Sequence, residues 1–141
     1  MKPTAFILNV DDHTKGGSHW ISIYVNKSGE GFYFDSFGFP PFEKHHINRL
    51  RKNCKVYRWN SMQLQSEYST VCGQYCVMFL NYMTSGLGFQ KFIENFSSDL
   101  TKNDEIVEKF VKYKIADGEF FGNGCCFVRC VQNSCSKMSL I

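Results

Sequence analysis

Short runs of apolar residues near the start of the chain have the pattern of β-strands. Residues 5–10 and 20–26 are rich in Ile, Val and Tyr, and residues 32–35 follow after the turn-forming sequence 26–29. Runs of this length, bounded by Asn, Gly and Ser, are typical of hairpin strands. Residues 55–59 form a further short run. The pattern therefore predicts about four strands, with the second and third paired as an antiparallel hairpin.

The later part of the chain changes to patterns with a helical period. Residues 42–53 place two apolar side chains three apart among charged ones, as on a surface helix with a narrow apolar stripe. Residues 72–83 are apolar on nearly all sides, which indicates a buried helix. A short amphipathic helix is predicted over residues 89–96. Thr101 or Asn103 is predicted to cap a last helix.

These elements predict one α+β domain. The chain has 141 residues, and 43% of them are hydrophobic, which is enough to fill a single core. The element order favours an antiparallel sheet of about four strands packed against a central buried helix, with further helices around it. We expect this domain to occupy residues 1–117. Residues 118–141 contain Gly and Cys without a clear period, and no structure is predicted for this tail.

The charge and the apolar runs exclude several classes of protein. The 16 Lys and Arg against 13 Asp and Glu give a net charge of +3, which is too mild to indicate a nucleic-acid-binding protein by itself. The apolar run 5–8 ends at Asn9 and is followed by Asp11 and Asp12. It is too short for a signal peptide or a membrane span. We therefore expect an intracellular protein with no membrane partner.

The cysteines do not have the pattern of a disulfide framework. There are 7 of them at irregular spacings, fewer than in a small disulfide-stabilised secreted domain. We expect mostly reduced thiols. Four lie in the tail with neither a Cys-x-x-Cys spacing nor a nearby His, so no metal site is predicted. These four are Cys125, Cys126, Cys130 and Cys135.

Three residues together have the chemistry of an activated cysteine. Cys72 lies where the buried helix begins, and the N-terminus of a helix favours a thiolate through its partial positive charge. His19 begins one hairpin strand and Asp35 ends the next, so the two are predicted to meet at one end of the hairpin. An imidazole can pair with a thiolate and a carboxylate can orient the imidazole. Each residue also has a common structural explanation, as a buried thiol, a packed histidine or a turn aspartate.

Two further residues fit a site around Cys72. Gln65 precedes it in a polar stretch that could fold back toward the start of the helix, where the amide would donate a hydrogen bond to a developing oxyanion together with the backbone N–H of Cys72. Gly73 would leave room for substrate backbone beside the nucleophile.

Four sequence motifs occur in the order and at the spacing of a known family. They are GGSHW (16–20), YFDSFGF (33–39), Gln65 and VCGQYCVMFL (71–80). Together they resemble the adenain cysteine proteases of adenoviruses, and similar proteases occur in Polinton/Maverick elements and related large DNA viruses. The order His, acid, Gln, Cys is shared with the wider Ulp-type SUMO-protease clan. The resemblance covers residues 4–83.

The resemblance implies a papain-like fold of adenain type and a set of site residues. Cys72 is implied as the nucleophile, His19 as general base and acid, Asp35 as the residue orienting His19, Gln65 as oxyanion donor, and Trp20 as a cover over the catalytic pair that shapes a narrow slot. The implied activity is cleavage of viral or transposon structural-protein precursors after small, Gly-type residues through a thioester. The chemistry needs no cofactor, and a monomer in the host nucleus or the virion is expected.

Adenoviral members of the family are stimulated by a viral peptide, which is linked by a disulfide in the segment before the catalytic Gln, and by DNA. Cys54 falls near that segment, so the resemblance implies it as the site of such a disulfide, with an incidental thiol as the alternative. The resemblance also implies that a modest stripe of basic residues near Cys54 contacts DNA. The alternative is that these residues form an ordinary solvated helix face. These cations are Lys44, Arg49, Arg51, Lys52 and Lys55.

Two other functions remain open at this stage. The same residues would serve an isopeptidase that removes SUMO-like or ubiquitin-like modifiers, because Asp at the acid position is the choice of the Ulp-type branch. The second is an inactive relic that binds peptides. Family members have a helical segment before the first strand, whereas here the first predicted strand starts almost at Met1, so an N-terminal segment is expected to be missing.

Overall fold

A computed structural model of the chain describes residues 2–10, 19–117 and 127–131. Within these residues it has five strands and four helices, and strands precede helices for most of the chain, as predicted. In chain order the elements are β1 (Thr4–Asn9), β2 (Trp20–Val25), β3 (Glu30–Phe34), α1 (Lys44–Asn53), β4 (Val56–Trp59), α2 (Cys72–Thr84), α3 (Gly88–Ile93), α4 (Leu100–Asp117) and β5 (Phe127–Val131).

The strands form one mixed sheet with the order β4-β3-β2-β1-β5. The pairings of β2 with β1 and with β3 are antiparallel, but β4 lies parallel to β3 and β5 lies parallel to β1. The α+β class is confirmed, while the sheet is neither purely antiparallel nor limited to about four strands. β3 and β4 run in the same direction because α1 carries the chain back between them, which parallel pairing requires.

The fifth strand comes from the region that was predicted to be a tail without known structure. β5 pairs Phe127 with Thr4 and Val131 with Leu8. Its five residues carry no alternating pattern of apolar and polar side chains, so a strand could not be predicted there. The division of the chain at residues 117 and 118 stays a prediction, although the structure places part of the tail in the sheet. The tail cysteines other than Cys130 lie outside the described residues.

The hairpin of β2 and β3 differs slightly from the predicted register. Ser22 pairs with Phe34 and Val25 with Gly31. Extending this register places His19 opposite Phe37 rather than nearly opposite Asp35. His19 and Asp35 still lie at the same end of the hairpin, because the difference is only two residues. The hairpin therefore delivers both side chains to one edge of the sheet.

The buried helix α2 packs on one face of the sheet through aromatic side chains. The Phe79 ring stacks on Phe34 with a centroid distance of 4.8 Å, and Phe92 of α3 meets both rings edge-on at 5.2 and 5.6 Å. Such aromatic pairs add about 0.5–1.5 kcal/mol beyond the area that they bury. Since Phe34 directly precedes Asp35 in the chain, this cluster fixes α2 relative to the strand end that carries the acid.

The remaining helices cover the two faces of the sheet. α1 packs on the face opposite α2, where Leu50 is buried against Phe6 and Ile21. α4 packs beside α2 through Val107. The expected caps of this last helix are wrong. Asp99 accepts the N–H of Lys102 at 3.1 Å and so caps the helix, because that N–H is one of the free donors of the first turn.

None of the helices in the described residues is long and apolar enough to cross a membrane. The same residues contain no group of three or more His, Cys, Asp or Glu side chains that could hold a metal ion.

Candidate active site

His19 and Asp35 form a direct hydrogen bond at the end of the β2–β3 hairpin. Nε2 of His19 lies 2.8 Å from Oδ1 of Asp35. The Asp35 side chain is 1% exposed, while that of His19 is 15% exposed and so reaches solvent. Oδ1 of Asp35 also accepts the backbone N–H of Phe37 at 2.8 Å. The Phe37 ring lies 4.9 Å from the imidazole and shields it on one side.

Cys72 is the first residue of α2, and no side chain caps the start of this helix. The free N–H groups there are therefore available to a negative charge. Burial raises the pKa of the Cys72 thiol, but hydrogen bonds from His19 and from the backbone N–H groups of Trp20 and Gly73, together with the charge of His19, outweigh it. The net effect is a lowered pKa, so the thiolate of Cys72 is stabilised.

The pKa of His19 moves in the opposite direction. Burial lowers it, but hydrogen bonds to Asp35 and Cys72 and the charges of both groups raise it to about 9. Nε2 faces Asp35, and Nδ1 is buried with no hydrogen-bond partner among the described residues, so Nδ1 is the ring nitrogen that remains to exchange a proton with the sulfur. A lowered thiol pKa beside a raised imidazole pKa indicates an ion pair of thiolate and imidazolium.

The other two cysteines with described side chains lack this activation. Cys76 lies one helical turn after Cys72, is fully buried, and has a pKa well above the ordinary value because of its burial. Burial also raises the pKa of Cys54. Cys72 is 6% exposed. Among these three thiols, only Cys72 has a lowered pKa, and it is less deeply buried than Cys76.

Gln65 lies in the loop before α2, and its side chain is held at both ends. Its Oε1 accepts the hydroxyl of Ser36 at 2.5 Å, and its Nε2 donates to Ser69, with Oγ and the carbonyl oxygen both at 3.1 Å. The carboxamide is 1% exposed and anchored beside the residue that follows Asp35. The role of Gln65 as oxyanion donor stays a prediction.

Trp20 and Gly73 flank the Cys72 sulfur with their backbone N–H groups. The Trp20 side chain is half-buried and packs against the core on the α2 side of the sheet. A Cβ atom added to Gly73 would meet no atom within 4 Å. The space beside Cys72 is therefore open, as the predicted substrate-binding role of Gly73 requires.

Several polar residues support the loop of Gln65, and sequence analysis did not find them. The Leu64 carbonyl oxygen lies 2.9 Å from the Tyr75 hydroxyl and accepts Nδ2 of Asn103 at 3.1 Å. The Tyr75 hydroxyl is also 2.9 Å from Oδ1 of Asp104, which accepts the N–H of Ser66 at 3.3 Å. No sequence signal predicts these contacts, because they join segments that are far apart in the chain.

The residues predicted to bind an activating peptide and DNA lie apart from His19, Asp35 and Cys72. The Cys54 sulfur packs so closely on β3 that a Cβ atom on Gly31 would collide with it, and the thiol is half-buried. Of the predicted DNA contacts, Arg49 is half-buried with its guanidinium 4.9 Å from the Phe6 ring centre. The other four are exposed along α1 and the segment after it; they are Lys44, Arg51, Lys52 and Lys55.

Comparison with known sequences finds viral proteases. A thiol protease of Acanthamoeba polyphaga mimivirus is 31% identical over 102 residues, which cover 64% of this chain and 33% of the relative. A protease of bovine adenovirus C serotype 10 is 29% identical over 89 residues, covering 53% of this chain and 45% of the relative. The chain thus spans less than half the length of these curated relatives. No family model matches it.

Comparison with solved structures finds the same class. A protease of ASFV superposes with a TM-score of 0.57 at 21% identity, over 75% of this chain and 43% of that one. ChlaDub1 from Chlamydia trachomatis gives a TM-score of 0.54 at 20% identity, over 74% and 50% of the two chains. The fold is therefore that of the adenain- and Ulp-type cysteine proteases. The names of the sequence relatives confirm the predicted resemblance to adenain-like viral proteases.

Proposed function

We propose that the chain is a cysteine endopeptidase with Cys72 as nucleophile. The observation that carries this proposal is the 2.8 Å hydrogen bond between Nε2 of His19 and Asp35, made by an imidazole that also lowers the pKa of the Cys72 thiol at the start of α2. A buried carboxylate, an imidazole and a thiol at the N-terminus of a helix are the groups that thiol-dependent acyl transfer requires. The protease names of the sequence relatives support the same activity.

The proposed reaction has two steps. The Cys72 thiolate attacks the scissile carbonyl carbon, and the imidazolium of His19 gives its proton to the leaving amine as the C–N bond breaks, which leaves a thioester. Neutral His19 then accepts a proton from water, and the water oxygen attacks the thioester carbon. The C–S bond breaks, the carboxylic product leaves, and thiolate and imidazolium are restored. Asp35 keeps the ring oriented in both steps.

The carbonyl oxygen becomes negatively charged in both steps, and donors are available near Cys72. We propose that the backbone N–H of Cys72 and the side-chain amide of Gln65 stabilise this negative charge. The family resemblance implies this role for Gln65. A donor in such a position contributes a factor of about 10²–10³ in turnover. The contacts of Gln65 with Ser36 and Ser69 hold the side chain in one orientation, and because Nε2 donates to two oxygens of Ser69, one of these bonds opens when the amide donates to the oxyanion.

Structural-protein precursors of a virus or mobile element, cleaved after small residues, are the proposed substrates. The open space at Gly73 favours close approach of an extended backbone. The test is turnover of fluorogenic peptides that contain Gly-Gly or Gly-X sites, with the Cys72→Ala variant as control. Hydrolysis by the wild-type chain alone is expected. Equal rates for the two proteins would instead establish the inactive peptide-binding relic.

An isopeptidase that removes SUMO-like or ubiquitin-like modifiers is the second candidate. It is favoured by the acid residue, because Asp35 stands where adenain-like enzymes often carry Glu. Purified modifier conjugates and Gly-Gly peptides, compared at matched concentrations, separate the two functions. Release of intact modifier with the higher kcat/KM would replace the endopeptidase proposal.

Stimulation by a peptide and by DNA is a further proposal that rests on the family resemblance. A disulfide at Cys54 requires its half-buried sulfur to move away from Gly31, whereas the exposed lysines and arginine of α1 need no rearrangement to meet phosphates. Turnover measured with and without duplex DNA, over a range of salt concentrations, tests the second part. Action as a monomer in the host nucleus or the virion completes the proposal.

A further inference from the structure

Asp35 lies where the regular hydrogen bonding of the sheet ends. The last pair between β2 and β3 joins Ser22 to Phe34, and the last pair between β3 and β4 joins Tyr33 to Trp59. The backbone of Asp35 is therefore one residue beyond the ladder with β2 and two residues beyond the ladder with β4. A residue in such a position needs another source of rigidity if its side chain is to hold a fixed orientation.

The side chain of Asn60 supplies that rigidity. Its Oδ1 accepts the N–H of Asp35 at 3.0 Å, and its Nδ2 donates to the carbonyl oxygen of Asp35 at 2.5 Å. Asn60 follows β4 directly, so its carboxamide continues the ladder by one residue with side-chain atoms. Nδ2 also lies 3.3 Å from the Met62 carbonyl oxygen. Asn60 is 4% exposed, and buried hydrogen bonds of this kind are strong constraints.

The carboxylate itself has few other constraints. Oδ1 of Asp35 is occupied by His19 and by the N–H of Phe37, while Oδ2 is buried and has no hydrogen-bond partner among the described residues. The carbonyl oxygen of Asp35 also accepts the N–H of Gly38 at 2.8 Å. The N–H of Asp35, by contrast, donates to Asn60, so removal of the carboxamide leaves a buried donor unpaired.

We infer that Asn60 is a positioning residue for the catalytic acid, which holds the backbone of Asp35 so that its carboxylate meets Nε2 of His19. This inference rests on the proposed function, because it assigns Asn60 a part in the same site. Loss of the carboxamide lets the end of β3 shift, and the bond between Asp35 and His19 lengthens. The imidazolium then loses its main support, and the Cys72 thiolate loses its partner.

The test compares Asn60→Ala and the milder Asn60→Ser with the wild-type chain. The pH dependence of Cys72 alkylation by iodoacetamide is followed by mass spectrometry of the labelled peptide. We expect the pH at which half of the Cys72 thiol reacts as thiolate to rise by about one unit in Asn60→Ala. If a peptide substrate is available, kcat should fall by about ten- to a hundredfold with little change in KM, because a misplacement of about 1 Å can cost that much.

Asn26→Ala is the matched control. Asn26 lies at the other end of the same hairpin, where its Oδ1 accepts the N–H groups of Ser28 at 2.9 Å and Glu30 at 3.0 Å. It therefore makes the same kind of side-chain contact to the backbone, far from the site. We expect this variant to lose stability while its alkylation profile stays that of the wild-type chain.

The outcomes distinguish failure of the role inferred for Asn60 from failure of the proposed function. A folded Asn60 variant with the wild-type alkylation profile would overturn the inference alone. Failure of both Asn60 variants to fold would also overturn it, in favour of a purely structural role. An ordinary thiol profile for Cys72 in the wild-type chain would remove the ion pair, and with it both the proposed function and the inference.

Discussion

At the scale of single residues, the reactivity of Cys72 depends on a balance between burial and charge. Burial alone would raise its pKa, as it does for Cys54 and Cys76, and the imidazole of His19 reverses the sign. The thiolate persists above the lowered pKa of Cys72 and is lost as the pH falls through it. The imidazolium persists below about pH 9 and is lost above it.

This balance predicts how activity and labelling depend on pH. We expect kcat/KM to rise through the lowered pKa of Cys72 and to fall near pH 9 with the titration of His19. His19→Ala should remove alkylation of Cys72 near neutral pH, because burial then dominates and raises the thiol pKa. His46→Ala, which changes a buried histidine of α1, is the control and should leave the labelling of Cys72 unchanged. Equal labelling of Cys72 and Cys76 would contradict the assignment.

A substitution at Gly73 gives a second prediction at this scale, because its effect on protein stability should differ from its effect on substrate binding. Gly73→Ala adds a methyl group where no atom lies within 4 Å, so the free energy of unfolding should stay equal or rise by up to about 1 kcal/mol through better helix propensity. If substrate backbone occupies that space, kcat/KM should fall by about tenfold or more. Urea unfolding and peptide turnover measure the two effects, and unchanged turnover would exclude Gly73 from the substrate path.

Gly38→Ala is the control for Gly73→Ala in the unfolding experiment, because at Gly38 an added methyl group has no room. The φ of Gly38 is +80°, and a Cβ atom there would lie 2.8 Å from the backbone carbon of Met62. Gly38→Ala should therefore destabilise the protein through strain and overlap. A Gly38→Ala variant as stable as Gly73→Ala would contradict the close contact between Gly38 and the backbone of Met62.

At the scale of elements, α2 connects the proposed nucleophile, Cys72, to the loop that carries Gln65. Cys72 begins the helix, and Tyr75, one turn later, contacts the carbonyl oxygen of Leu64. The helix α4 reaches the same oxygen through Asn103. The proposed nucleophile and the predicted oxyanion donor are thus fixed to the same buried helix, and a shift of α2 would move both together.

Tyr75→Phe tests this connection. Removal of the hydroxyl takes a partner from Leu64 and from Asp104, which is 6% exposed, so the protein should lose about 1–3 kcal/mol of unfolding free energy. Because Leu64 directly precedes Gln65, kcat should fall more than KM changes. Tyr82→Phe on the same helix removes only a 3.4 Å contact to Asn95 and should cost less than about 0.5 kcal/mol. Equal losses of stability in the two variants would contradict the proposed role of Tyr75.

The sequence predicted those elements whose pattern is local. The β2–β3 hairpin and α2 follow from short alternating runs and from one long apolar run, and His19, Asp35 and Cys72 lie at the ends of these elements. The direction of β4 and the existence of β5 depend on pairing between distant segments, which no local pattern reports. Asn60 and Tyr75 were missed for the same reason, since their partners are backbone atoms that only the folded chain brings near.

At the scale of the whole molecule, β5 protects one edge of the sheet. β1 pairs with β2 on one side and with β5 on the other, so without β5 its outer N–H and C=O groups would be exposed. Residues 5–8 of β1 are buried and apolar. An exposed apolar edge strand of this kind promotes association between chains.

Deletion of residues 118–141 tests this role. We expect the truncated chain to keep the hydrogen bond between His19 and Asp35, because the backbone partner of His19 is the N–H of Val10 at 2.9 Å, which the deletion leaves in place, but to form dimers or larger aggregates. Light scattering and size-exclusion chromatography measure the association, and iodoacetamide labelling of Cys72 reports on the site. A monomeric truncated chain with unchanged solubility would show that β5 is not needed to cover the edge.

The pairing of β1 with β5 has a consequence for biosynthesis. Thr4 leaves the ribosome long before its partner Phe127, so the hairpin, the central helix and the three reactive groups are all translated while one side of β1 still lacks its neighbour. During that interval a nascent chain can pair with a second nascent chain on the same polysome. Slow translation at high expression levels should therefore favour inclusion bodies, and co-expressed holdase chaperones should favour recovery of the native protein.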